Sequence, residues 1–462
     1  TTESFATYGI VDGDQPAFEQ LAVPGNLIPD VGGIETDLFA SQVSSLLDAF
    51  YYLQEYPFEC AEQRSSRVLA NAALVDVLDG FAAPGRPSRV EIDAQRARDL
   101  RELERDHQVG GWGYFYRTSV DPFVTQQVVA AVLAAGAKGK WVDSAIADLA
   151  KSNLERIAQL ERAAATSKLA GAPASTIALA AAELATLGMV KPRTSLALRL
   201  HAVAGKLGTY PVDAKARVLA LLAKQPAAAT VRKQLLAELL SAAREDASSA
   251  TITTSYLPDE RLLLVSAAKT TALVLDALIR EVPQHTLIPK LARGLLDGRK
   301  RGRWMSTQEN LAVLQAMRRY FDTYEKTAPD FVGKLWVGTA GYAEHAFAKR
   351  DARARVAVPW TQLAGASHTL AVAKTGPGRL YYRVGIQYAP AKLDLPPLDA
   401  GFVVRRSYRA VDRPSDVTRT PEGNYKVRLG AVVVVTLEVL STSHRYAVAL
   451  VDPLPAGLEP VN

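Results

Sequence analysis

Between about Thr36 and about Lys326 apolar residues, mostly Ala and Leu, recur at helical spacing and break at Gly, Pro or polar clusters. The flanks differ. Residues 1–35 are short Gly/Pro-punctuated stretches such as LAVPGNLIPDVGGIE, more like strands and loops than helix. From about Lys334 the pattern alternates at period two, as in ARVAVPW, HTLAVAK and LYYRVGIQY. A last β-rich block begins near Leu395 and carries YKVRLGAVVVVTLEVL. The chain is therefore expected to be multidomain α + β, with one long helical block framed by β pieces.

Inside the helical block, Thr36 offers a cap for DLFASQVSSLLDAFYYLQEY, and Pro57 stops that run by restricting the residue before it. VTQQVVAAVLAAG, STIALAAAELATLG, DAKARVLALLAK, TALVLDALIREV and TQENLAVLQAMRRYF are further helices joined by short turns. An echo runs through the block. GGWG…DPFVTQQVVAAVLAA (110–135) and GRWMSTQENLAVLQA (302–316) share Gly-x-Trp, then Thr-Gln opening an Ala/Leu helix. Weaker copies lie at 174–185 and 269–280. Repeated helical hairpins stack because none can bury its apolar face alone, and over this length they can close into an α/α toroid. An ordinary bundle with Ala-rich seams is the alternative.

At 462 residues the chain has material for two to four domains, and 48% hydrophobic with 22% charged residues is ordinary for a globular protein. No apolar run reaches the ~18–20 residues that cross a bilayer, and TTESFATYGIVDGDQ has no basic start or apolar core of a signal peptide. A start without Met and the ending LPAGLEPVN lead us to expect a piece of a longer protein. The net charge of +6 is no argument for nucleic acid. The one dense basic run, GRKRGR at 298–303, follows an apolar-periodic stretch, has no aromatic ladder, and suits a solvated helix end.

Cys60, inside YPFECAEQ, is the only cysteine. It cannot form an internal disulfide, and an unpaired thiol is tolerable in an oxidising compartment only if buried or masked. A buried small hydrophobe is the plain reading of such a residue. A helix starting near Glu59 allows a second one. Residues three apart share a helical face, so the Cys60 and Gln63 side chains can meet. A thiol and a glutamine carboxamide can form a thioester with loss of ammonia, and a thiolate leaves it far more readily than an amide nitrogen would. The helix N-terminus favours both a departing thiolate and an acyl oxyanion. Tyr56, Pro57 and Phe58 are candidates for shielding the bond from water.

YPFECAEQRSSR resembles the thioester site of the alpha-2-macroglobulin and complement family, whose usual form is Pro-Tyr-Gly-Cys-x-Glu-Gln. GGWGYFYRTSVDPFVTQQVVAAVLAA, RWMSTQENLAVLQAMRRYF and YAVALVDPLPAGLEPVN resemble later segments of that family in the same order, the last being similar to the C-terminal macroglobulin-like domain of its bacterial branch. The resemblance covers nearly the whole chain. It implies an α/α toroid thioester domain (36–333) inserted in a CUB-like β-sandwich (1–35 and 334–394), followed by the start of a macroglobulin-like β domain (395–462). It further implies an extracytoplasmic protease trap, in the bacterial periplasm or cell envelope, whose thioester acylates lysine amines of an attacking protease. Cys60 and Gln63 would form the bond, and Glu62 is the remaining motif residue. Other domains of the full-length protein would be partners. No cofactor, metal, nucleic acid or membrane contact is implied. Glu59 stands where the family usually has Gly, and Ala61 fills the variable slot. The region near 165–190, where complement relatives carry an attacking His, has none, and His107 is no motif match. Direct amine attack is therefore the implied preference.

Three other functions remain open. A toroid enzyme, such as a glycoside hydrolase or a cyclase, would need paired carboxylates or zinc ligands, and the six histidines (107, 201, 285, 345, 368 and 444) are scattered. A Cys-His enzyme such as a transglutaminase or protease would need a His beside Cys60. A non-covalent binding module would have lost the thioester.

Overall fold

The computed structural model describes residues 3–42, 46–78, 87–166, 174–246, 248–253, 264–300, 302–338, 340–350, 352–363, 365, 367–391, 402–421, 423–441 and 450–461. Three strands come first: β1 (Glu3–Val11), β2 (Ala17–Ala22) and β3 (Leu27–Phe39). The helices begin with α1 (Leu47–Gln54), α2 (Ala61–Leu78), α3 (Arg89–Arg105) and α4 (Pro122–Ala134). They continue with α5 (Lys140–Ala165), α6 (Ala174–Leu187), α7 (Thr194–Leu207), α8 (Val212–Leu222) and α9 (Ala229–Ser241). A short hairpin, β4 (Ala243–Glu245) and β5 (Ala250–Ile252), precedes α10 (Ala267–Glu281), α11 (Leu287–Asp297) and α12 (Thr307–Tyr320). Strands β6 (Phe331–Val337), β7 (Ala340–Phe347), β8 (Arg353–Pro359), β9 (Ser367–Thr375) and β10 (Leu380–Pro390) then complete the first compact unit, residues 1–390.

Two antiparallel four-stranded sheets take strands from both sides of the helices, in the orders β1-β10-β3-β8 and β2-β9-β6-β7. Ile34, Leu38, Leu335, Phe347, Val372 and Val384, drawn from both sheets, share one core. The helix expected from Thr36 is a correction. Thr36–Phe39 finish β3, pairing with β8 and β10, and the helix starts only at Leu47. Alternation explains it: Ile34, Thr36 and Leu38 are buried while Glu35 and Asp37 point outward. That period of two outweighs a lone capping residue.

Helices α2, α4, α6, α8, α10 and α12 touch in succession, and α12 packs back on α2, so the six close into a ring. The ring members α4 and α6 are buried on nearly every face, which explains why their sequences are Ala/Leu-rich all round rather than striped. Outside the ring, α5 is amphipathic, burying Val142, Ala145, Leu149, Asn153, Ile157 and Leu160 at helical spacing. A few starts carry side-chain caps. Ser88 and Ser306 form capping boxes with Glu91 and Glu309, and Asp121 caps α4 ahead of Pro122. The helical block leaves and rejoins the strands at one place: Glu325, just past α12, accepts from the Ser41 hydroxyl and from the Gln42 N–H (3.0 Å), just past β3. Burial pushes the Glu325 carboxyl above its usual range.

The echoed tryptophans have matching roles. Trp112 Nε1 donates to the Leu103 carbonyl at 2.7 Å and Trp304 Nε1 to the Leu295 carbonyl at 3.1 Å. Each buried indole thereby ties the end of an outer helix to the start of a ring helix, α4 or α12. The basic run at 298–303 closes α11: Arg299 Nε donates to the Leu296 carbonyl (2.8 Å), and the Arg303 guanidinium lies over the Tyr52 ring at 4.1 Å. Residue 301 lies outside the described residues.

The second unit, residues 391–462, holds β11 (Val403–Ala410) paired antiparallel with β14 (Val433–Leu440), and β12 (Val417–Arg419) with β13 (Tyr425–Val427). Asp416 accepts both Arg428 bonds, at 2.8 and 3.0 Å. Part of the segment YAVALVDPLPAGLEPVN, residues 446–449 and 462, lies outside the described residues, as does 392–401 around the expected start of this block.

Candidate functional site

Pro57 ends the chain's run from α1, and α2 opens at Ala61, two residues after the expected start. Cys60 therefore sits at the threshold of the helix rather than inside it. Its carbonyl accepts the Arg64 N–H at 3.0 Å, the first helical bond. Its own N–H donates to Gln63 Oε1 at 3.1 Å. The Gln63 carboxamide is thus folded back over the helix start, onto the residue whose thiol it would have to meet. Next along, the Ala61 N–H donates to the Tyr114 carbonyl at 2.9 Å, so one orphan donor of α2 is met from the GGWGYFY segment.

Cys60 is 6% exposed. Burial pushes its thiol above the usual cysteine range; the hydrogen bond with Gln63 opposes this and the Glu62 charge adds to it. The neutral form is favoured in such a place over a thiolate. Tyr114, half-buried beside Cys60 and Glu62, has its phenol pushed up to about 12, chiefly by burial.

Glu62 is 3% exposed and anchors the first turn of α2. Its Oε1 accepts from Gln308 Nε2 (2.6 Å), Thr307 Oγ1 (2.9 Å) and Ser66 Oγ (2.9 Å). From the other side Gln127 Nε2 donates to the Glu62 carbonyl (3.0 Å) and Ser66 Oγ (2.9 Å), and its Oε1 accepts from Gln308 Nε2 (2.6 Å). Buried polar groups in this cluster answer one another, which is what makes a carboxylate tolerable there. Lys269 Nζ extends the chain to Gln308 Oε1 (3.0 Å), and burial pushes its ammonium down to about 7.

Glu59, where the thioester motif it resembles has Gly, reaches forward along α2. Its carboxylate meets Arg64 at 3.2 Å and Arg67 at 3.3 Å. Arg67 is buried and held by Asp99 through two 2.7 Å bonds, and Arg64 meets Glu102 at 2.9 Å. The residue before Cys60 is therefore tied to both α2 and α3.

Of the expected shields, the Tyr56 ring is half-buried, with its edge contacts to Tyr52 (5.3 Å) and Phe58 (5.8 Å). Phe58 is 65% exposed beyond that contact, and Pro57 is exposed. Tyr114, Gln127, Thr307, Gln308 and Lys269 were not singled out from sequence. Of these only Thr307 and Gln308 fall in the Gly-x-Trp…Thr-Gln echo, as its second Thr-Gln pair. His107 packs on Trp112 at 4.6 Å between ring centroids, half-buried at the end of α3. Among the described residues no group of three or more His, Cys, Asp or Glu could hold a metal ion. No described helix is long and apolar enough to cross a membrane.

Residues 401–462 match the family model described as the Bacterial Alpha-2-macroglobulin MG10 domain. An alpha-2-macroglobulin homolog of Nostoc sp. is 28% identical over 41% of the chain. Circularly permutated Ras protein 2 of Dictyostelium discoideum is 21% identical over the whole chain. The chain spans only 10% and 14% of those two proteins. Among solved structures, trypsin-activated alpha-2-macroglobulin from Escherichia coli matches 95% of this chain over 28% of its own, at 16% identity and a TM-score of 0.59. The same organism's protein activated by porcine elastase matches 96% over 37%, at 18% identity and 0.54. At such identities the likeness is one of fold. Residues 401–462 are thus similar to a domain of bacterial alpha-2-macroglobulins, and the chain as a whole is consistent with a fragment of that family.

Proposed function

We propose that this chain carries the reactive part of a covalent protease trap, a single-turnover acyl donor rather than an enzyme. The observation that carries the reading is the Gln63 carboxamide folded onto the Cys60 N–H at the start of α2. Cys60 Sγ bonds to Gln63 Cδ and ammonia leaves; the stored thioester then waits for an amine. A lysine Nζ attacks Cδ, an amide forms, and Cys60 leaves as a thiolate that takes up the proton the amine gives away. A buried, water-poor site favours the neutral thioester over a thiolate, in keeping with the raised Cys60 thiol. Glu62 acts at one remove, as the anchor that fixes the first turn of α2 against α12.

In this reading the helical ring, with the helices from α1 to α12, is an α/α toroid set within a CUB-like β domain formed by β1–β3 and β6–β10, and the second unit, from 391, opens a macroglobulin-like domain. Support comes from the closed order of helix contacts and from the sheets that take strands on both sides of the helices. The E. coli relatives of similar fold are described as activated by trypsin and by elastase, which supports proteases as targets. The place of action is the bacterial periplasm or cell envelope, and Tyr56 with Tyr114 would shield the bond.

The test is capture. Full-length protein mixed with trypsin should yield a denaturant-resistant adduct whose peptide map joins Gln63 to a protease lysine. An adduct of equal yield from a Cys60→Ser variant would overturn the mechanism.

A further inference from the structure

The ring encloses a cavity of about 660 Å³, within the roughly 300–1,000 Å³ usual for small-molecule sites. Its middle is apolar, walled by side chains such as Leu69, Leu273, Leu311 and Ala316. Its two ends differ in kind. The inner end is closed by Gln127, Lys269 and Gln308, all buried and already bonded to one another, with Lys269 Nζ lying 5.0 Å from the Phe123 ring centre; a fifth lining arginine, Arg217 of α8, stands on this side, close enough for its charge to act on Lys269. At the outer end stand Arg193, Arg280, Arg318 and Arg319, each partly exposed, and Asp276 is the one acid among the lining residues.

Those four cations are only partly answered. Asp276 serves both Arg280 and Arg319, and Arg318 pairs with Asp322 (2.8 Å) and the Ala73 carbonyl (2.9 Å). For Arg280, Arg318 and Arg319 a position near a helix C-terminus is reason enough, since the dipole welcomes a cation there. Arg193 is different. It occupies the cap position at the N-terminus of α7, where the dipole disfavours positive charge, and its Nε is buried without an acceptor among the described residues.

We propose that this cavity binds a single-chain anionic amphiphile, a carboxylate bearing a medium-length acyl tail. The head sits among the arginines, whose planar guanidinium forks match a carboxylate and whose uncompensated charge needs one. The tail runs along the apolar wall and stops short of the polar inner end, which sets a limit on its length. The site stands apart from Cys60 and needs no thioester.

Calorimetric titration of the full-length protein with hexanoate, octanoate, decanoate and decan-1-ol, all below their micellar concentrations, tests this. One site per chain is expected, tightening about fourfold per added methylene, with decanol at least about tenfold weaker than decanoate. Arg193→Gln should weaken decanoate by about fivefold or more and leave decanol unchanged, and Ala316→Phe should abolish both by filling the cavity. Absence of saturable heat, equal binding of decanol and decanoate, or unchanged decanoate affinity in Arg193→Gln would each overturn the proposal. Full binding by Ala316→Phe would do the same. Should that buried substitution prevent folding, Arg193→Gln decides alone, because its side chain reaches the solvent edge.

Discussion

Glu62 and Gln308 are 246 residues apart in the chain, and their side chains meet at 2.6 Å. That bond joins α2 to α12, the first and last members of the ring, at the turn that carries Cys60 and Gln63. Glu62 is therefore a closing link of the helical ring as well as a neighbour of the reactive pair. Replacing Glu62 by Ala leaves Ser66, Thr307 and Gln308 without their shared acceptor. Unfolding in urea should show a loss of about 2–4 kcal/mol, against about 1 kcal/mol for Glu62→Gln, which keeps the shape and one acceptor. Equal losses in the two variants would mean the hydrogen-bonded acceptor is not what matters.

Glu59 gives a second handle on the same turn. Its carboxylate is half-exposed though the Arg64 and Arg67 sides of the pairs are not, so the pairs contribute about 1 kcal/mol and weaken with salt. A Glu59→Gly change should release the segment before Cys60 and raise the rate of methylamine-driven thiol release by about two- to fivefold. Added salt should speed the parent protein toward the variant and leave the variant unmoved. A parent rate indifferent to salt would remove the clamp from the account.

The thiol set free by amine attack should be sluggish. Burial, with the Glu62 charge, holds the Cys60 thiol high, so its reaction with a disulfide reagent should climb with pH. The half-maximum should fall above the ordinary cysteine value of about 8.5. A half-maximum at or below that value would indicate an opened, solvated site.

Lys269 predicts a pH dependence of stability. Folded, its ammonium releases its proton near about 7; unfolded, it keeps it to about 10.4. Between those values the unfolded state binds more protons, so stability rises with pH, by up to about 1.4 kcal/mol per unit. Below about 7 both states are charged and the contribution is flat. Measured on a Cys60→Ser background, Lys269→Met should abolish this slope between about pH 7 and 10. A slope that persists in Lys269→Met would assign it to other groups.

The sequence reveals what is local. Cys60 and Gln63 lie three residues apart, and a single helical turn relates them whatever surrounds it. The Gly-x-Trp echo was visible too, because each indole reaches back only nine residues, to Leu103 or Leu295. Thr36 misled because a capping residue before an apolar run looks the same at the end of β3 as at the head of a helix; only pairing with β8 and β10 separates the two. The partners of Glu62 were out of reach for a plainer reason. Gln127 lies 65 residues on and Gln308 246, and their meeting is a property of the closed ring. The cavity is equally silent in sequence, since Ala and Leu look alike whether they face a neighbour or a void.

The most direct test is the intact mass of freshly purified full-length protein. A closed Cys60–Gln63 thioester makes the polypeptide one ammonia lighter than its sequence requires. Methylamine should then add one amine to Gln63 and expose one titratable thiol at Cys60, with neither change in Cys60→Ser. A mass equal to the sequence, with Cys60 fully reactive from the outset and no amine uptake, would contradict the account.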